Sequence, residues 1–207
     1  MQLIASIDAY PPSKRRSSDL EDTNGHVVRV LNEMYSNREV PAGDEDPMAE
    51  FILGGWSWRA SSFRIWHVNW DPNMKQFQSK AIRPLTHRPG AWFWFAGSKD
   101  AVFDARLKLE GMLHASGAPL DVPLDLQPLT IIAKYCQDRT FHDVGGAPQV
   151  AKVYQHMNTK QFAVSWKQDP TGPASLHLAG RPLLSYEIAH LPEIKFPQQH
   201  SDDGPSR

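Results

Sequence analysis

Nine histidines and a single cysteine, Cys136, are the residues of this 207-residue chain with the most direct claim to metal or nucleophile chemistry. No histidine falls in an H-E-x-x-H or H-x-H pattern, and none stands at finger spacing from a cysteine, so no zinc-binding spacing is present. A lone cysteine also excludes an intramolecular disulfide framework. Cys136 lies on the apolar stripe of an expected helix, which predicts an inert buried thiol. The phosphate-binding patterns G-x-x-x-x-G-K-[ST] and G-x-G-x-x-G are absent, as is the G-x-S-x-G elbow of serine hydrolases. Gly54-Gly55 and Gly145-Gly146 are isolated doublets that close packing or a turn explains. His67 sits within a strand among aromatic residues and is expected as a core or surface imidazole. The Trp-rich segment around it, with Arg59 and Arg64, could stack bases, but tryptophans on both faces point to core packing. Lys14-Arg15-Arg16 is expected as a solvated loop. No pattern asks for a metal or a cofactor.

Composition narrows the class further. Lys+Arg number 22 against 23 Asp+Glu, a formal net charge of −1. That balance gives no general attraction to nucleic acid. No apolar run approaches the roughly 20 residues that span a bilayer. Met1–Tyr10 lacks the basic region and small-residue cleavage site of a signal peptide. A cytoplasmic protein without a membrane partner is expected. Seven Trp and 17 Pro suggest many short elements with fixed turns.

The elements that would position any site come in blocks. Leu3, Ile4, Ile7 and Tyr10 have the spacing of an amphipathic helix, stopped by Pro11-Pro12. A second helix is expected over Asp22–Asn37, with Val27, Val30, Leu31 and Met34 on one face. Four strands follow, AEFILGGWSW, SFRIWHVNWD, MKQFQSKAI and GAWFWFAG. The second and third are joined by a turn at Asp71-Pro72-Asn73. In the second, Trp66, Val68 and Trp70 share one face and Phe63 and Ile65 the other. In the fourth, Trp92 and Trp94 alternate with Phe93 and Phe95. Apolar residues on both faces predict sheets covered on both sides. Ser98 is an N-cap for a helix running to about Ser116, with Val102, Ala105, Leu109, Met112 and Leu113 buried and Gly117 closing it. A further helix is expected over Leu126–Arg139, with Leu129, Ile132, Ala133 and Cys136 inward. Strands are then expected at Gln149–His156, Gln161–Trp166 and Ser175–Leu178. Block order rather than βαβ alternation means α+β with mainly antiparallel sheet. One domain over 1–195 and a disordered polar tail over 196–207 are expected.

Three stretches in this order carry a resemblance. EFILGGWSWRASSFRIWHVNWD resembles a strand pair in which an apolar run ends in Gly-Gly and the next strand ends at an Asp-Pro turn. WFWFAGSKDAVFDA resembles a strand running through Gly-Ser into a helix, and DVGGAPQVAKVYQ a Gly-Gly turn entering a core strand. With the helices between them, over about Met1 to Leu178, they resemble the N-terminal-nucleophile (Ntn) hydrolases, specifically proteasome β-type subunits and their bacterial peptidase relatives. The resemblance implies a four-layer αββα sandwich.

It also implies where a site would lie. Ser98 aligns with the family serine near the nucleophile's amino group. The family's Asp and Ser before the later Gly-Gly fall near Phe141 and Val144, so Asp143 corresponds with a shift of two positions. Family enzymes open on a strand carrying Thr, Ser or Cys, whose free amine is the base for its own side chain. This sequence opens at what corresponds to the first family helix. Neither Met1 nor Gln2 is such a nucleophile, and cleavage at Gly97-Ser98 would sever a strand–helix joint. The expectation is an N-terminally truncated or degenerate, proteasome-like protein without peptidase activity as it stands. A misplaced start and a real loss both fit. Expected partners are other copies of the chain, and an unfoldase or peptide substrate if full length. Two alternatives stay open: a non-catalytic binding module using its Trp-rich sheet for a ligand or nucleic-acid strand, and an unrelated α+β enzyme.

Overall fold

The computed structural model describes residues 18–38, 46–83, 93–117, 124–155, 158–167 and 172–194. The expected helix at Met1–Tyr10, the Lys14-Arg15-Arg16 loop, Trp92 and the tail lie outside them. The chain divides into two compact units, one formed by residues 1–102, 119–123 and 153–158, the other by 103–118, 124–152 and 159–207.

The first unit holds helix α1 (Leu20–Ser36) and strands β1 (Glu50–Ser57), β2 (Ser62–Asp71) and β3 (Gln76–Ala81). Its helix starts two residues before the expected Asp22 because Asp19 caps it. The Asp19 carboxylate accepts the Glu21 amide, and the Asp19 amide donates to Asp22. This is a reciprocal cap with Asp in the place usually held by Glu. Glu21 and Asp22 also place negative charge at the helix's positive end. The strands form an antiparallel sheet in the order β1-β2-β3. Asp71 fixes the second turn by accepting the amides of Asn73 and Met74.

Period-2 alternation puts Trp66, Val68 and Trp70 on the buried face, as expected. Val27 and Leu31 of α1 meet Val68, Trp70 and Phe77 there, with Tyr35 and Phe51 at the margin. Each such side chain contributes roughly 1.5–3 kcal/mol on burial. The inward stripe of α1 is Leu20, Thr23, Val27 and Leu31, while Met34 is 40% exposed, against expectation. Asn32 reaches the edge of the sheet. Its side-chain N–H donates to the Phe77 carbonyl at 3.1 Å, and its oxygen accepts the Phe77 amide at 2.6 Å. The opposite face is less covered than expected, since Ile52 and Phe63 are 48% and 46% exposed. The expected GAWFWFAG strand is corrected over its described part. Phe93–Ala96 joins no ladder, although Phe95 is buried and Trp94 packs on His67.

Helix α2 (Lys99–Ala115) crosses from one unit into the other, with Asp100 in its first turn. Its buried residues are Ala101, Ala105, Leu109 and Leu113. Gly117 closes it at φ 56°, a left-handed conformation that favours glycine. The second unit adds α3 (Gln127–Asp138) and a five-stranded sheet of β4 (Val150–Val153), β5 (Thr159–Trp166), β6 (Ser175–Leu178), β7 (Arg181–Pro182) and β8 (Glu193–Ile194). The path is β4-β5-β6-β7, with β8 added parallel to β5. A 3-10 turn, Ser185–His190, precedes β8. In α3 the buried residues are Ile131, Ala133 and Tyr135, whereas Ile132 is 38% exposed and Cys136 half-buried. The inward face is thus rotated from the expected one. α+β with predominantly antiparallel sheets is what the chain forms. Among the described residues no helix is long and apolar enough to cross a membrane.

Candidate functional site

Three polar clusters in the described residues bear on chemistry. The first stands beside Ser98. The β1–β2 register pairs Glu50 with Asn69 and Ile52 with His67, so Glu50 and His67 are diagonal neighbours on one face. His67 Nε2 lies 3.2 Å from Glu50 Oε2, which also accepts the Gly97 amide at 3.4 Å. The His67 ring packs against Trp94 at 5.1 Å between centroids. Gly97 holds φ 132°, a conformation that strains any L side chain. The carboxylate thus orients an imidazole and pins the segment entering α2.

Ser98 is half-buried, and its carbonyl accepts the Val102 amide at 2.9 Å. It opens the helix as expected, and no hydrogen bond between its hydroxyl and His67 is among the described contacts. An acid–base group has to lie within hydrogen-bond reach of the proton it moves. Asp143 is exposed on the segment between α3 and β4, just before Gly145-Gly146. The two residues that the resemblance singles out belong to different compact units.

The second cluster was not foreseen. Residues two apart on a strand share a face, and His177 Nε2 meets the Ser175 hydroxyl at 3.0 Å on β6. Ser175 is exposed, His177 is buried, and His177 Nδ1 has no hydrogen-bond partner. For Ser175 to be a nucleophile, Nε2 would accept its proton while Nδ1 carried a buried, unpaired N–H. A buried donor without a partner costs about 1–3 kcal/mol. An unpaired Nδ1 lone pair in the other tautomer carries a similar cost, so in either form the ring lacks the partner that would hold it as a base. Activation would need an acceptor at Nδ1, the role a carboxylate plays in a triad.

The third cluster is a buried carboxylate. Asp19 and Ser57 are both fully buried. Asp19 accepts the Ser57 hydroxyl at 3.2 Å and the Arg59 amide at 3.1 Å, and Ser57 in turn accepts the Ala60 amide. Burial pushes the Asp19 carboxyl up, but the amides of Glu21 and Arg59, the Ser57 hydroxyl and the Trp58 amide outweigh it, and the net shift is downward. The Arg59 guanidinium grips both oxygens of Asp22, at 3.0 and 2.8 Å, and is the main reason that carboxyl is also lowered. Trp58 donates to the Ser18 carbonyl. These bonds tie the start of α1 to the β1–β2 turn, so the cluster is a structural clasp. The signal for it was in the sequence: Asp19 followed three residues on by a second carboxylate.

Other expected candidates resolve simply. Trp66 and Trp70 are core residues, while Trp58 is 48% exposed. Burial raises the Cys136 thiol, which keeps it protonated and unreactive. Among the described residues no group of three His, Cys, Asp or Glu could hold a metal ion. A small hollow lined by Gln149, Val150, Ala151, Gln161 and Ala179 offers no charged or nucleophilic side chain. Comparison of the chain with protein-family models, with curated proteins and with solved structures finds no match.

Proposed function

We propose that this chain is a self-assembling, non-hydrolytic protein of proteasome-like build, a structural or binding subunit. The observation that carries the reading is helix α2. It buries Ala105, Leu109 and Leu113, yet on its outward side holds Phe103 at 65% exposure and Leu107 at 53%. An exposed apolar side on a helix whose other side is already buried is surface that a further partner can cover. The non-hydrolytic part is supported by Ser98 opening α2 with its carbonyl on the Val102 amide, and by His177 Nδ1, which lacks the acceptor a triad supplies. The four-layer αββα sandwich belongs to this proposal.

Sedimentation of the purified chain tests assembly. A stable monomer at concentrations on the order of 100 μM, well above typical interface affinities, would defeat it. Fluorogenic peptides and a hydroxyl-directed covalent inhibitor test the chemistry, with neither turnover nor labelling expected. Turnover that Ser98→Ala abolishes would make this chain a peptidase.

A second reading, a binding module, rests on the half-exposed Ile52 and Phe63 beside Trp56 on the outer face of β1–β2. Saturable quenching of Trp fluorescence by a single-stranded oligonucleotide, lost in Phe63→Ala, would favour it.

A further inference from the structure

Among the described residues no close neighbour requires a glycine at Gly111. It lies within α2, where glycine is disfavoured relative to alanine. Its φ is not positive, and a Cβ built on it would meet nothing within 4 Å. Phe103, Leu107 and Gly111 follow one another at four-residue steps. At about 100° per residue they stand roughly opposite the buried stripe that starts at Ala101. The outward side of α2 is therefore a ridge of two large apolar residues ending in a gap. Gly25 of α1 is equally open, but its neighbours four residues away are the exposed Glu21 and Arg29, so no ridge runs into it.

A ridge followed by a gap fits an inverted copy of itself. With two α2 helices antiparallel about a two-fold axis at Leu107, Phe103 of each falls on Gly111 of the other, and the Leu107 side chains meet at the centre. Ridges at four-residue spacing interdigitate in this way, and the missing side chain lets the backbones approach. On one flank the same inversion brings Glu110 beside Arg106 of the second copy, opposite charges on both sides of the axis. A two-fold interface needs such self-complementarity, because each patch meets its own image.

We infer that the Phe103–Leu107–Gly111 face of α2 is the contact through which two copies of this chain pair; this rests on the assembly reading above and names its surface. The full chain, Phe103→Asp and Gly111→Leu are compared by sedimentation velocity over about 1–100 μM, a range spanning ordinary dimer affinities. Both variants are expected to weaken pairing by at least about a hundredfold, the scale of an interface hot spot. Gly111→Leu is expected to raise Tm at the same time, since leucine favours the helix and meets no neighbour in its own chain. That variant keeps the test valid if Phe103→Asp folds poorly. A monomeric parent chain would overturn the assembly reading and this face together. A parent chain that pairs, with both variants pairing equally well, would overturn this face alone.

Discussion

Replacing Asp19 should do more damage than the loss of one helix cap. Its carboxylate is fully buried and accepts from the Glu21 amide, the Ser57 hydroxyl and the Arg59 amide. In Asp19→Ala the cap accounts for about 1 kcal/mol. Ser57 and Arg59 each keep a donor facing the hole, at about 1 kcal/mol apiece at the low end. The expected loss is about 3 kcal/mol, or roughly 6–12 °C in Tm for a chain of this size. Asp19→Asn can still cap Glu21, but turns an NH2 group towards donors, and should lose about 2 kcal/mol. The pH dependence separates charge from shape. The folded-state carboxyl is held below its ordinary value, so the unfolded chain takes up the proton first. Stability from the ionised group is complete above about pH 4 and is lost as pH falls through the lowered folded value. Urea unfolding followed by circular dichroism at pH 7 and near pH 3 should show the gap between parent chain and Asp19→Asn narrowing in acid. A gap that stays constant, or an Asp19→Ala loss below about 1 kcal/mol, would refute the clasp.

Leu109 is fully buried in α2, and Leu109→Ala should cost about 2–5 kcal/mol in chemical denaturation. The Tyr135 hydroxyl donates to Asp104, and burial followed by that carboxylate holds the phenol far above its ordinary range. Absorbance at alkaline pH should show one tyrosine that ionises only as the fold is lost, and Tyr135→Phe should remove that late step at a cost of about 1 kcal/mol. Glu187 is pulled down to about 2 by the Arg181 guanidinium and then the Leu184 amide. Side-chain carboxyl resonances should show it titrating well below the ordinary glutamate range, and Arg181→Gln should return it towards the ordinary value near 4.

Much of the local structure was legible because burial writes a period into the chain. The alternation of Trp66, Val68 and Trp70 located β2 and its inner face, and Ser98 and Gly117 bracketed α2. Pairing is what a single strand does not encode. Phe93, Trp94 and Phe95 alternate like a strand, yet the segment makes no ladder and settles by packing Trp94 on His67. The Glu50–His67 contact depends on the β1–β2 register, set by the turn around Ser61 with its φ of 49°. β7 contains Pro182 and, like β8, has two residues; neither carries a periodic signal, and proline argues against a strand. On α3 the stripe through Leu129, Ile132 and Cys136 matched the helical period, but Tyr135 turned inward because it binds Asp104. The Ser175–His177 pair needed no register, only the rule that residues two apart share a face.

The Asn32 amide has a consequence for how the chain behaves at high concentration. By holding both the N–H and the C=O of Phe77, it imitates one rung of a neighbouring strand on edge strand β3. A foreign strand adding there must first displace a group tethered to α1. Access to that edge is thus gated by the opening of a helix rather than by collision with another molecule. Exposed edges template aggregation, and local opening is less costly than global unfolding. The rate at which this protein forms aggregates should therefore follow how often α1 lifts from the sheet, so that two variants of equal global stability can differ widely in shelf life.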